Sequence, residues 1–309
     1  MKTRVICCGN VAFDLIAKPG NDTGGIIFDA RPGGSVLNTA ILLSRLGLPV
    51  SMIAKTGKDF LGDSLLKTMR REKLGTKYCM QEKFFKTGLA LARLDKKGDS
   101  SYVFFRTSGS QASFKKKKFP SSLFKKTSVF HTASAYSYAD HTFDDTLEFM
   151  KRAKEENVLV SYDPNWRKDR IADKKTARAR IRKLIRYVDL LKFSETDALG
   201  ITGAKTLTAA LRSLPENIVV TVGKKGSFFW DGKKKISQSA FGVPVKDTIG
   251  AGDGFTAGLI YRYCLKGEEV FWKEKRENLV FASAVSALVC RGRGATESLK
   301  DLSQVRKFL

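Results

Sequence analysis

The sequence predicts an α/β fold, a doubly wound and mostly parallel sheet flanked by helices. Three observations lead there. Short apolar segments alternate with longer amphipathic ones from end to end, the pattern of strands joined by crossover helices. The chain has 309 residues, 42% of them apolar, enough to bury one large core. No Pro- or Ser-rich linker and no internal repeat divides it, so residues 1–309 read as one domain.

Residues 5–8 read as a first strand, 37–46 as a helix stopped by Gly47, and 50–54 as the next strand. A helix at 146–156 precedes a strand at 158–162, and a helix at 177–186 precedes a strand at 190–193. A helix at 207–214 leads to a strand at 218–222, and two long helical stretches close the chain. One region breaks this rhythm. Residues 88–94 and 101–106 are short strand-like runs joined by Lys96-Lys97-Gly98-Asp99, a hairpin signature, and read as a β flap outside the main sheet.

Lysine and arginine number 56 against 31 acids, a net charge of +25. A basic surface attracts polyanions at long range. Here the charge is spread along the chain and its densest runs, 115–118 and 233–235, are short. With no nucleic-acid-binding module beside it, the charge reads as solvated surface, and no specific nucleic-acid partner is expected. The five cysteines (7, 8, 79, 264, 290) have no Cys-x-x-Cys spacing and suggest neither a disulfide framework nor a zinc site. The apolar stretch after Lys2 and Arg4 is broken by Gly9, Asn10 and Asp14 before it could act as a signal core, and no apolar run is long enough to span a membrane. A cytoplasmic location with no membrane partner is expected.

The most informative stretch runs from Asp247 through Thr248, Ile249, Gly250, Ala251, Gly252 and Asp253 into an apolar helical segment. Small residues at 250–252 let the backbone turn sharply at a helix start, so that several N–H groups point into one concavity, a place suited to phosphate. Two readings of Asp253 fit that spacing. It is an ordinary helix cap after a glycine turn, or it is a carboxylate that takes a proton from an attacking hydroxyl while the amides meet the charge of a transferred phosphoryl group.

The stretch resembles the carboxy-terminal signature of the ribokinase-like, or phosphofructokinase-B type, carbohydrate kinases, Asp-Thr-x-Gly-Ala-Gly-Asp, at every defined place. Gly33-Gly34-Ser35-Val36-Leu37-Asn38, in a segment that ends at Gly47, is similar to the family's amino-terminal signature. The resemblance implies ATP-dependent phosphorylation of a sugar hydroxyl. Asp253 is then the general base and the backbone amides of Gly250, Ala251, Gly252 and Asp253 form the anion hole. Asp14, Gly33, Gly34 and Asn38 bind sugar, while Thr221, Gly223 and Gly226 make room for the nucleotide. It also implies a discontinuous β lid from about residues 12–34 and 86–108, often paired with a second subunit, hence a homodimer through the lid. Gly57, Asp59 and Gly62 match a family pattern read as structural. Magnesium is implied with ATP. Where the family commonly has Asn-x-x-Glu this chain has Ser194-Glu195-Thr196-Asp197, so that Asp197 keeps an indirect magnesium role and Ser194 gives up the amide. A monovalent cation, potassium foremost, is implied at backbone carbonyls near Asp247 and Ile249.

Asp163-Pro164-Asn165-Trp166-Arg167 resembles a motif of fructokinases and 2-keto-3-deoxygluconate kinases. Phe104-Phe105-Arg106 is similar to the end of fructokinase lids. Arg167 and Arg106 are therefore expected at the substrate, where a guanidinium fork suits a phosphate or a carboxylate. Fructose is the favoured substrate; a keto-deoxy sugar acid, or another sugar or nucleoside, is the alternative. His131 and His141 read as structural.

Overall fold

The computed structural model describes residues 4–18, 26–94, 100–105, 113–114, 119–166, 168 and 171–309. The first strand, β1 (Arg4–Cys8), lies inside a nine-stranded sheet. Val5 and Cys7 point to one face of it and Ile6 and Cys8 to the other, and all four are fully buried. A strand apolar on both faces belongs in a sheet covered by helices on both sides. On one side of β1 lie β4 (Val50–Gly57) and then β5 (Gly75–Glu82). On the other lie β8 (Thr127–Ala133), β9 (Leu159–Asp163), β10 (Leu190–Ser194) and β11 (Ile218–Thr221). All these pairs are parallel; β12 (Ser227–Trp230) and β13 (Lys235–Gln238) add an antiparallel edge.

The face of Val5 and Cys7 is covered by α1 (Ser35–Arg45), α2 (Phe60–Arg71), α7 (Ala251–Lys266) and α9 (Lys275–Cys290). The short α8 (Glu268–Lys273) and α10 (Leu302–Phe308) pack on the same side through Phe271 and Val305. The face of Ile6 and Cys8 is covered by α3 (Phe143–Glu155), α4 (Lys174–Ile185), α5 (Glu195–Thr202) and α6 (Leu207–Arg212). Among the described residues no helix is long and apolar enough to cross a membrane.

A second, four-stranded sheet stands apart, in the order β3 (Ile27–Gly33), β2 (Ala12–Lys18), β6 (Gly88–Leu94), β7 (Ser100–Phe105). β6 and β7 pair antiparallel, Leu89 opposite Phe105, as a hairpin whose Lys96–Asp99 connection lies outside the described residues. Ile27, Val103 and Phe105 are exposed on this sheet, and Ile26 just before it is 70% exposed.

The predicted elements are present with boundaries shifted by a few residues. The first helix starts at Ser35 rather than 37, and the helix expected to reach 214 ends at Arg212. The crossover direction reverses at the boundary between β1 and β8, and the carboxyl ends of the strands open a crevice there, the usual ligand position of a doubly wound sheet.

Candidate active site

The crevice is a cavity of about 1070 Å³ that reaches from the small sheet, at Asp14 and Ala90, across the carboxyl ends of β9, β10 and β11 to the start of α7. Gly250 caps α7 with φ 79°, and a Cβ there would stand 2.5 Å from the Cβ of Ala295, so the sharp entry into the helix needs glycine. The Ala251 N–H turns back to the Thr248 carbonyl at 3.2 Å, and the Gly254 N–H bonds the Gly250 carbonyl at 2.8 Å. Gly252 and Asp253 lie between them at the helix tip and line the cavity.

Asp253 is not the helix cap. Gly250 is, and no side chain closes the α7 start. The Asp253 carboxylate reaches instead to α1: Ser35 Oγ donates to Oδ1 at 2.6 Å and Asn38 Nδ2 donates to Oδ2 at 2.8 Å. Burial raises its pKa above the ordinary carboxylate value. The Ser35 and Asn38 donors oppose that rise, Asp163 adds to it and Lys192 relieves it. Asn38 Oδ1 is buried without a hydrogen-bond partner among the described residues. Asn38 thus orients the acid with one end and keeps an acceptor with the other.

Asp14 lies on β2 and its carboxylate packs against Gly33, where a Cβ would come within 2.1 Å of it. Gly34, at φ 105°, carries the chain from β3 into α1. Asp14, Gly34, Asn38 and Asp253 all line the one cavity. At its other end stand Thr221 and Gly223, where β11 ends, and Gly226 at φ 102° beyond a short 3-10 turn. Ser194 and Asp197 line it too, but they are engaged with each other. Ser194 caps α5, accepting from the Asp197 N–H at 3.1 Å, while the Asp197 carboxylate accepts from the Ser194 N–H at 2.9 Å. Burial and the nearby Asp163 raise the Asp197 pKa. Asp247 is buried: its Oδ1 accepts from the Ile249 N–H and its Oδ2 from the Gly294 N–H at 2.6 Å, tying two loops together behind α7.

Arg106 and Arg167 lie outside the described residues. His131 is buried in β8 beside Ser161, 3.2 Å from its Oγ, and burial pushes its pKa down to about 4. His141 lines the cavity. Sequence reasoning missed Ser35 as a partner of the acid, and it missed Lys192. Lys192 sits within the apolar run of β10 and is buried, its ammonium 2.8 Å from Asp163 Oδ2. A charged residue inside an otherwise apolar central strand was the available signal.

Comparison with known proteins fits this geometry. The model of the pfkB family carbohydrate kinases matches residues 2–302. The chain belongs to that family. The kinase is 28% identical to probable fructokinase-7 of Arabidopsis thaliana over all of this chain and 93% of the relative. It is also 28% identical to fructokinase-1 of Zea mays, over 91% of this chain and 89% of that protein. Among solved structures it is similar in fold to a fructokinase of Xylella fastidiosa with bound ATP, with a TM-score of 0.87 at 24% identity over 100% of this chain and 98% of that one. A Vibrio cholerae fructokinase in a fructose-, ADP- and potassium-bound form gives a TM-score of 0.84 at 22% identity, over 100% and 98% of the two chains. The central parallel sheet, its flanking helices and the separate small sheet are thus those of a ribokinase-like sugar kinase.

Proposed function

We propose that this kinase transfers the γ-phosphoryl group of ATP to a hydroxyl of a hexose, fructose foremost, with Asp253 as general base. One observation carries the reading: a carboxylate at the tip of α7, held by Ser35 and Asn38 and capping nothing, faces the same cavity as the helix-start amides. The fructokinase relatives, and the ATP, fructose and ADP named for the solved neighbours, support the choice of substrates.

Sugar lies against Asp14, Gly33, Gly34 and the free acceptor of Asn38. The attacking hydroxyl gives its proton to Asp253 as its oxygen bonds to phosphorus and the bond to ADP breaks. The two α1 donors hold the carboxylate in line. The amides of the 250–253 turn, apart from that of Ala251, which the Thr248 carbonyl engages, and the positive end of α7 meet the charge that grows on the phosphoryl oxygens. Nucleotide extends along Ser194, Thr221, Gly223 and Gly226. Arg106 and Arg167 act at the substrate end.

Among the described residues no three His, Cys, Asp or Glu side chains converge as a metal cage. That suits magnesium, which keeps most of its waters and binds through one or two carboxylates and the nucleotide phosphates. Asp197, whose carboxylate already accepts from Ser194, would act on magnesium only indirectly, through its waters, and the metal would supply charge neutralisation. Potassium would be held by the backbone carbonyls near Asp247 and Ile249. The small sheet is the lid of the proposed single domain, and its exposed apolar residues suit pairing with a second copy. Five unpaired thiols suit the cytoplasm.

The test is ATP consumption measured with fructose, ribose, 2-keto-3-deoxygluconate, nucleosides and sugar phosphates. The expected result is the highest kcat/KM with fructose. Turnover confined to the sugar acid or to a nucleoside would overturn the substrate, and none with any acceptor would overturn the reaction.

A further inference from the structure

The ammonium of Lys192 occupies a place that fold stability does not explain. Its neighbours along β10, Leu190, Leu191 and Phe193, are apolar and buried. Lys192 shares the face of Leu190, the face covered by α7, and its side chain is 5% exposed. Asp163, at the end of the adjacent parallel strand β9, holds it. A buried ion pair is about as stable as an apolar pair of the same size, or less so. The pair therefore calls for another reason, and its position supplies one. A Cβ on Gly252 would lie 3.1 Å from Lys192 Nζ, so the ammonium stands directly beneath the turn that opens α7, and a side chain at 252 would press on it. Both residues line the cavity.

Burial works against the charge on Lys192, but Asp163, Asp197 and Asp253 together reverse that and leave its pKa raised. The cation therefore persists at the floor of the site. An ammonium has three donors. Among the described residues Asp163 is its one hydrogen-bond partner, which leaves donors for the cavity.

We propose that Lys192 is a catalytic residue of the transfer: its ammonium, aimed by Asp163 as a positioning residue, donates to the phosphoryl group as that group passes over Gly252. This rests on the reading of Asp253 and the α7 amides given above. No bond to Lys192 forms. The phosphorus–oxygen bond to ADP breaks as that to the sugar forms, the hydroxyl proton goes to Asp253, and Lys192 keeps its three hydrogens. Peptide amides offer only partial charge, whereas the ammonium brings a full one to a place shielded from water.

The experiment compares Lys192→Met, Asp163→Asn, the double variant and Asp253→Asn, assayed with fructose and ATP. Lys192→Met is expected to lower kcat by about 10²–10³-fold, as loss of one oxyanion donor does, with the KM for fructose little changed. The groups facing Asp253 are Ser35 and Asn38 from α1, Asp163 from β9 and Lys192 from β10. The acidic limb of the kcat/KM profile should therefore move up in pH in Lys192→Met, which removes a cation, and down in Asp163→Asn, which removes an anion. The limb reads whether both charges act at the reacting carboxylate, and the fall in kcat at an unchanged KM for fructose reads the contact with the phosphoryl group. Each single variant leaves a buried charge unpaired and lowers Tm; the double variant removes both charges and should recover Tm but not kcat. Recovery of kcat with Tm, or an unmoved limb, overturns the proposal. If Asp253→Asn is inactive while Lys192→Met turns over at the parent rate, this inference alone fails. If Asp253→Asn is active, the reading beneath it fails.

Discussion

Two helices begin at the floor of the same cavity, each with aspartate at its third position, and they begin in opposite ways. At α5 the cap is Ser194, in extended backbone, and Asp197 folds back on it, so that hydroxyl, carboxylate and two amides satisfy one another. At α7 the cap is Gly250, which has no side chain to accept a bond, and Asp253 turns away to α1. A closed capping box uses up the anion-binding capacity of a helix start, whereas an uncapped start keeps it. The residue at the cap, hydroxyl or none, decides whether the aspartate three places on serves the fold or the ligand.

The largest effect that tests this contrast is on turnover. Asp253→Asn keeps the shape and one acceptor but cannot take a proton, and kcat should fall by about 10²–10⁴-fold while fructose still binds, as read by steady-state assay and calorimetry. Turnover near the parent rate would make the two helix starts equivalent. Next is Gly250→Ala. A Cβ there meets Ala295 at 2.5 Å and strains a backbone at φ 79°, so the variant should lose about 2–4 kcal/mol in urea unfolding. A loss below about 1 kcal/mol would mean that the open turn does not require glycine.

The contrast was only half legible in the sequence. The alternating apolar runs announced β1, β4, β9, β10 and β11 because a parallel sheet buried on both faces leaves continuous apolar strands. The 250–253 turn stood out because three small residues before an acid are unusual at a helix start. β8 was missed: His131 and Thr132 break its apolar run, and only β1 and β9 on either side reveal that the strand is central. The edge strands β12 and β13 were hard to see for a related reason, since short strands half open to water lack a strong period, whereas the β6–β7 hairpin of the small sheet was legible from its turn residues. Ser35 lies 218 residues from Asp253, and Lys192 and Asp163 are 29 apart. Local spacing carries no trace of such pairs. Ser194-x-x-Asp197 was legible as a departure from a family pattern, yet its meaning as a capping box came from the hydrogen bonds.

A smaller effect sharpens the closed side of the comparison. Ser194→Ala opens the box, leaving the Asp197 amide without its acceptor, and should lower stability by about 1 kcal/mol in urea unfolding. Its effect on kcat should be far below that of Asp253→Asn. If kcat falls equally, the α5 start belongs to the chemistry rather than to the fold.

The smallest effect concerns protonation at the open start. Burial raises the Asp253 pKa above the value of 3.8 expected in the unfolded chain. Below about that pH both states hold the proton and the acid is neutral toward stability. As pH rises through the higher folded value, the folded state gives up a proton that it held more tightly, and stability is lost. Asparagine at 253 escapes that loss. Asp253→Asn should therefore melt about 1–3 °C above the parent near pH 8, with the gap closing as pH falls toward about 4. Thermal melts across that range decide it. A variant that melts lower near pH 8 would show that the Ser35 and Asn38 bonds to the ionised carboxylate outweigh its burial, and that the open helix start is held by its acid instead of being strained by it.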